Sequence, residues 1–221
     1  MIRRLKFVAA ICATSLASQT IDAAPIPFDG GELKVDQGAA DSIDIFDLDL
    51  DTNIATPKVG NKQHDVIKRY MYDLAVELTK RNYRVENKRN GEVLIVTVPT
   101  DELFLPNDTL LMQQASKLLK PLTQFVDDTK FKTVFAIHSD DTGSESYQHK
   151  LTDLRVTAIY DWFDDNANDA SMLVGYPEGG DAPLVPNNSR VNRSINRRME
   201  VYLIPSDEMI NLAKSKKLFQ D

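Results

Sequence analysis

The chain holds one cysteine in 221 residues, Cys12, and it lies inside an apolar N-terminal run. Without that run the protein has no thiol, hence no disulfide and no cysteine-held metal, and it depends on its core alone. Histidine is nearly as scarce: His64, His138 and His149 are the three, at no spacing that suits a zinc site or a catalytic triad. Positive charge is also short, with Lys and Arg numbering 26 against 33 Asp and Glu, a formal net charge of −7. Residues 1–23 carry Arg3, Arg4, Lys6 and Asp22, a net +2, so a chain lacking them stands at −7 − 2 = −9. Such an acidic surface argues against a nucleic-acid partner or a general anionic-membrane binder, and an anionic ligand would need a local basic pocket. No cofactor motif and no internal repeat is visible.

What is present begins with an export signal. Met1 to Lys6 is a basic start, and residues 7–17, FVAAICATSLA, form an apolar stretch too short to span a bilayer. Cleavage after Ala23 or after Ala17 suits the small-residue rule, and 1–23 is taken as the signal peptide. Cys12 has Ile11 before it, where a lipid-modified cysteine needs a small residue, which speaks against lipidation. Residues 24–62 are expected to be a linker carrying one edge strand, because Ile43 to Asp51 alternates apolar and acidic residues. A calcium loop starting at Asp47 would need glycine at position 52 and glutamate at 58; the chain has Thr52 and Lys58.

Residues 63–91 read as a helix-and-hairpin extension. Val66, Ile67, Tyr70, Met71, Leu74, Ala75 and Leu78 mark one helical face. Asn90-Gly91 between Tyr83–Asn87 and Val93–Val98 is a hairpin signal, and the near-continuous apolar second run suggests an interior strand. Pro106 to Thr109 is expected to start a helix lined by Leu111, Ala115, Leu118, Leu122 and Phe125. A strand follows over Lys132–Ile137, then helix to about Asp165 and a short strand at Met172–Val174. A long loop is expected over Gly175–Pro186, and a last strand over Met199–Leu203. Ser206 caps a C-terminal helix within 206–221. The order β-α-β-α-β-β from residue 92 implies an α/β sandwich of the α+β kind, with helices packed on a small mixed sheet.

Several short segments in this order carry a resemblance. They are Leu103-Phe104, His138-Ser139-Asp140 with Gly143, and Leu151-Thr152 followed by Arg155. Gly175-Tyr176-Pro177-Glu178 before Pro183, and Asn188 through Arg193 to Asn196-Arg197-Arg198, complete them. The chain resembles the OmpA-like domain, the peptidoglycan-binding C-terminal module of outer-membrane protein A, across residues 92–205. The family's wording is His-Thr-Asp, Leu-Ser-x-x-Arg-Ala, Gly-Tyr-Gly-Glu and Asn-Arg-Arg. This chain departs at Ile137, Ser139, Gln148, Val156 and Pro177, the last of which alters the loop.

The resemblance implies non-covalent binding of the diaminopimelate of a peptidoglycan stem peptide by Asp140 and Arg155. Ser139, Asp141, Gln148, Leu151 and Thr152 would surround them, with Arg197 or Arg198 contributing. The chemistry fits independently: one centre of diaminopimelate bears an ammonium and a carboxylate, which a carboxylate and a guanidinium complement. A straight helix from Thr142 would carry Arg155 about 20 Å from its start. A break at Leu151-Thr152 is therefore expected, with Thr152 as N-cap, and Thr142 to Glu145 as a capping box for a short preceding helix. The resemblance implies a periplasmic, non-enzymatic cell-wall anchor, associated with the outer membrane, with an envelope protein partner on its N-terminal extension. The alternative is a periplasmic protein–protein scaffold that has kept the fold. No catalytic residue and no metal ligand is assigned.

Overall fold

The computed structural model describes residues 48–220; the expected signal peptide, Cys12 and Ile43 to Asp47 of the expected edge strand lie outside them. The part of that strand within reach forms no strand. Helix α1, Leu50–Ala55, begins there, because the Asp49 side chain accepts the Thr52 backbone N–H at 2.7 Å and caps it. Local capping outweighs the alternation of a few acidic residues.

Helix α2, Asn61–Lys80, buries Ile67, Met71, Ala75 and Leu78, spaced at three- and four-residue intervals. The hairpin forms as expected. Strand β1, Arg84–Lys88, pairs antiparallel with β2, Val93–Pro99, and Arg89, Asn90 and Gly91 all take positive φ in the connection. Strand β2 is interior, lying between β1 and β5. Residues 105–112 stay a loop closed by a bridge between Phe104 and Leu111, in place of the expected helix start. Asp108 accounts for this: its carboxylate accepts the N–H groups of Thr109 and Leu110 and stabilises a turn. Helix comes later and in pieces, α3 over Ser116–Leu119 and α4 over Thr123–Asp127, with 3-10 turns at Gln113–Ala115 and Lys120–Leu122.

Strand β3, Phe131–His138, leads through a turn into α5, Glu145–Asn166. Strand β4 spans Val174–Gly179, so much of the expected long loop is strand. Pro177 is tolerated because β4 is an edge strand, paired only with β3. A short helix α6, Arg190–Asn196, separates it from β5, Arg198–Pro205, and α7 runs Asp207–Lys214 behind its Ser206 cap. The sheet is mixed, in the order β1-β2-β5-β3-β4, with β3 and β4 parallel and every other pair antiparallel. Central β5 is buried along its whole length.

One apolar cluster joins Ile67, Met71, Phe104, Leu119, Leu122, Phe135, Ile159, Phe163, Met199, Val201 and Leu203, tying α2, α3 and α5 to the inward residues of β3 and β5. Apolar burial at about 25 cal/mol per Å² is what holds these helices on the sheet. The segment around α1 is fastened by side chains instead. Lys132 Nζ donates to Asn53 Oδ1 at 2.9 Å and Thr56 Oγ1 at 3.1 Å, and Arg89 donates to the carbonyls of Ile54 and Pro57 at 2.8 and 2.7 Å. Burial, with the charge of Arg89 nearby, brings the Lys132 ammonium down to about 8.

Gly175 shows how tightly α5 lies on β4. A Cβ there would stand 2.6 Å from both Phe135 Cζ and Val156 Cγ1. Phe135 is fully buried, so Gly175→Ala is expected to cost about 1–3 kcal/mol of stability, read as a lower urea midpoint at unchanged slope.

Candidate ligand cleft

The candidate site is built where β3 ends. His138, Ser139 and Asp140 are all buried, which is unusual for residues leaving a strand. Ser139 and Asp140 are each held there by a specific bond. The Ser139 N–H donates to the Gly179 carbonyl at 2.6 Å, extending the β3–β4 pairing by one step. Asp140 is only 3% exposed. Its Oδ1 accepts the Thr142 N–H at 2.8 Å, and its Oδ2 accepts from Arg197 Nη1. Burial alone would raise this carboxyl, but the Thr142 and Arg197 hydrogen bonds outweigh it and hold Asp140 below the usual carboxylate range. Gly143, at φ +84°, completes the turn, and Ser144 caps α5 by accepting the Tyr147 N–H at 3.2 Å.

Helix α5 is continuous across Leu151-Thr152, and the expected break is absent. Thr152 is fully buried within the helix. Its hydroxyl lies 3.1 and 3.0 Å from the Gln148 and His149 carbonyls and accepts the Gly179 N–H at 3.1 Å. The residue expected to start a helix thus back-bonds inside one and fastens β4 to it. Gln148 and Leu151 are buried beside it, Gln148 donating to the Gly143 carbonyl at 3.3 Å.

Arg155 is 4% exposed, and its partners come from the loop before α3. Nε donates to the Asp108 carbonyl at 3.0 Å and Nη2 to the Leu105 carbonyl at 3.4 Å, with the guanidinium 4.8 Å from the Phe104 ring centre. Burial lowers its pKa, with Asp101, Tyr147 and Asp108 acting the other way and Arg197 adding to the fall. Asp140 and Arg155 form no direct pair. Arg197 takes that place.

Arg197 links two carboxylates. Its Nε and Nη2 grip Asp101 at 2.7 and 2.6 Å, and Nη1 reaches Asp140. The Asp101 hydrogen bond raises the Arg197 pKa most; burial opposes, and Asp140 adds to the rise. Asp141 is exposed and accepts from Arg193 Nε of α6 at 2.7 Å. Arg198 turns the other way. It is buried, donating to Glu200 Oε1 at 2.7 Å and to the carbonyls of Asn196 and Ala182 at 3.2 and 3.1 Å. Of the two arginines proposed for the site, only Arg197 meets Asp140.

No protein-family model matches the chain, and no curated protein matches it. Solved structures do. A MotB-like protein from Desulfovibrio vulgaris superposes with a TM-score of 0.57 at 22% identity, over 65% of this chain and 98% of that one. The cell wall anchor of the T6SS from Pseudomonas aeruginosa gives 0.51 at 22% identity, over 63% and 97%. The periplasmic domain of Helicobacter pylori MotB gives 0.50 at 16% identity, over 63% and 93%. The fold is OmpA-like.

Within this OmpA-like fold the sequence motifs fall on neighbouring elements: the β3 end, the first turns of α5, the β4 end and the residues entering β5. Asp101, Arg193 and the carbonyls of Leu105 and Asp108 were not anticipated. Asp101 lies two residues before Leu103-Phe104, and nothing in its local pattern marks it; only the β2–β5 register, with Pro99 opposite Arg198, brings it to Arg197. Glu145, His149 and Asp181 also come together, each with a ligand atom within 4.8 Å of the others. Glu145 and Asp181 are exposed and His149 is half-exposed, and His149 Nε2 already meets Asp181 at 3.1 Å.

Proposed function

We propose that this protein binds peptidoglycan non-covalently, through the diaminopimelate of the stem peptide, and anchors an envelope protein to the cell wall. The observation that carries this reading is the buried Asp140 carboxylate, kept ionised at the end of β3, with the Arg155 guanidinium held by backbone carbonyls on the neighbouring helix. In this reading Asp140 accepts the ligand ammonium and Arg155 faces the ligand carboxylate. Asp140 exchanges Arg197 for the ligand, which leaves Arg197 on Asp101. The module acts as a binder and not as an enzyme, since the charged groups of the cleft are tied in ion pairs and backbone bonds and none is poised against a nucleophile. The cell-wall-anchor and periplasmic relatives of the same fold support a periplasmic location. Association with the outer membrane, and a protein partner held through the residues before β1, belong to the same proposal.

The test is co-sedimentation with purified sacculi. The protein is expected to pellet with diaminopimelate-type wall and to stay in solution with lysine-type wall. Protein wholly in the supernatant with both would overturn the reading and leave a scaffold, and a steady release of muropeptides would point to a hydrolase.

A further inference from the structure

We propose that Asp101 is a positioning residue of this cleft: it retains Arg197 through two hydrogen bonds, so that Asp140 can exchange Arg197 for a ligand ammonium. The inference rests on the reading of the cleft as a site for a zwitterionic centre.

Geometry makes the two carboxylates unequal partners. Arg197 meets Asp101 with its Nε–Nη2 edge, a fork that matches both carboxylate oxygens, and meets Asp140 with one nitrogen alone. A cation arriving at Asp140 therefore displaces one contact of Arg197 and leaves two. The burial follows the same division: the side chain of Asp101 is 46% exposed and that of Asp140 is 4% exposed. The pair with Asp101 forms the solvent-facing side, and the contact to be exchanged is the inner one.

Backbone pairing fixes this arrangement. The Thr100 N–H donates to the Arg197 carbonyl at 3.1 Å, so the residue before Asp101 is tied to Arg197 itself. Arg155 and Arg197 both feel the charge of Asp101, and Arg155 also feels that of Asp108. Without the Asp101 carboxylate, Arg197 would have Asp140 as its one carboxylate partner among the described residues, which opposes a ligand ammonium.

A double-mutant cycle tests this, using calorimetry with a soluble stem tripeptide that ends in diaminopimelate. Asp101→Asn is expected to weaken binding by about tenfold or more, as a charge-assisted competitor is left on Asp140. Arg197→Gln removes the competitor, and its own affinity is the reference for the second background. The double variant should match Arg197→Gln. A tenfold loss from Asp101→Asn in both backgrounds, or in neither, would overturn the proposal. A readout without ligand separates this from failure of the binding reading. In the free protein, NMR titration should place the Asp140 carboxyl lower in Asp101→Asn than in the parent, because Arg197 then belongs to Asp140. An unchanged Asp140 titration would equally refute the shared arginine, whether or not the tripeptide binds.

Discussion

Asp140→Asn is expected to abolish retention on diaminopimelate-type sacculi while leaving the fold intact, with affinity for a soluble stem tripeptide falling on the order of a hundredfold. The substitution keeps the shape of the side chain, and its amide oxygen can still accept the Thr142 N–H that sets the turn. It removes the buried carboxylate that meets Arg197, and with it the proposed charge partner for a ligand ammonium. Arg197 loses one contact but keeps both bonds to Asp101, so no buried cation is stranded. A thermal midpoint within a few degrees of the parent would confirm that the loss belongs to binding. Undiminished binding by Asp140→Asn would remove Asp140 from the site. Arg155→Met is a less clean companion. It should reduce binding as strongly, but it also releases the Leu105 and Asp108 carbonyls from their donor, at about 1–3 kcal/mol of stability for each group left unpaired.

The contrast between these two residues shows what the sequence can and cannot convey. Asp140 and Arg155 are recognisable because they sit in short motifs with fixed spacing. The strand and helix periods are equally visible, since burial repeats along β2, β3 and α2 wherever one face or both faces are covered. Hidden from the sequence is the competition at single residues. Thr152 has the chemistry of an N-cap and is used for back-bonding inside α5, because Gly179 from β4 needs its hydroxyl. Ser144 does the capping instead. Pro106 to Thr109 has the composition of a helix start, yet Asp108 turns its carboxylate onto its own loop, and that loop becomes the seat of Arg155. Asp101 could not be found because its role depends on a cross-strand register that local sequence does not encode.

Arg198 illustrates the same limit, and it leads to the second large effect. Glu200→Ala is expected to destabilise the protein by about 3–5 kcal/mol, measured by urea unfolding at neutral pH, because it leaves Arg198 buried without its counter-charge. Glu200 sits on central β5, 7% exposed. Its Oε1 accepts from Arg198 Nε at 2.7 Å, its Oε2 accepts from the Tyr202 hydroxyl, and His138 Nε2 lies 3.4 Å away. Burial pushes this carboxyl upward, yet the contacts from His138, Tyr202 and Arg198 prevail and bring it to about 2, from an ordinary 4.5. A folded-state pKa below the unfolded one contributes stability that is present above pH 4.5 and is lost as the pH falls through about 2. The parent should therefore lose stability across that window more steeply than Glu200→Gln, in which the titrating group is gone. Arg198 also holds the carbonyls of Asn196 and Ala182, so the damage should spread to the connection between β4 and α6, seen as faster amide exchange around residues 180–187. A variant as stable as the parent, with the same acid profile, would show that this buried cluster contributes nothing net to the fold. The adjacent arginines of the Asn196-Arg197-Arg198 motif would thus separate by experiment: Arg197 through ligand exchange at Asp140, and Arg198 through the stability of the sheet that carries it.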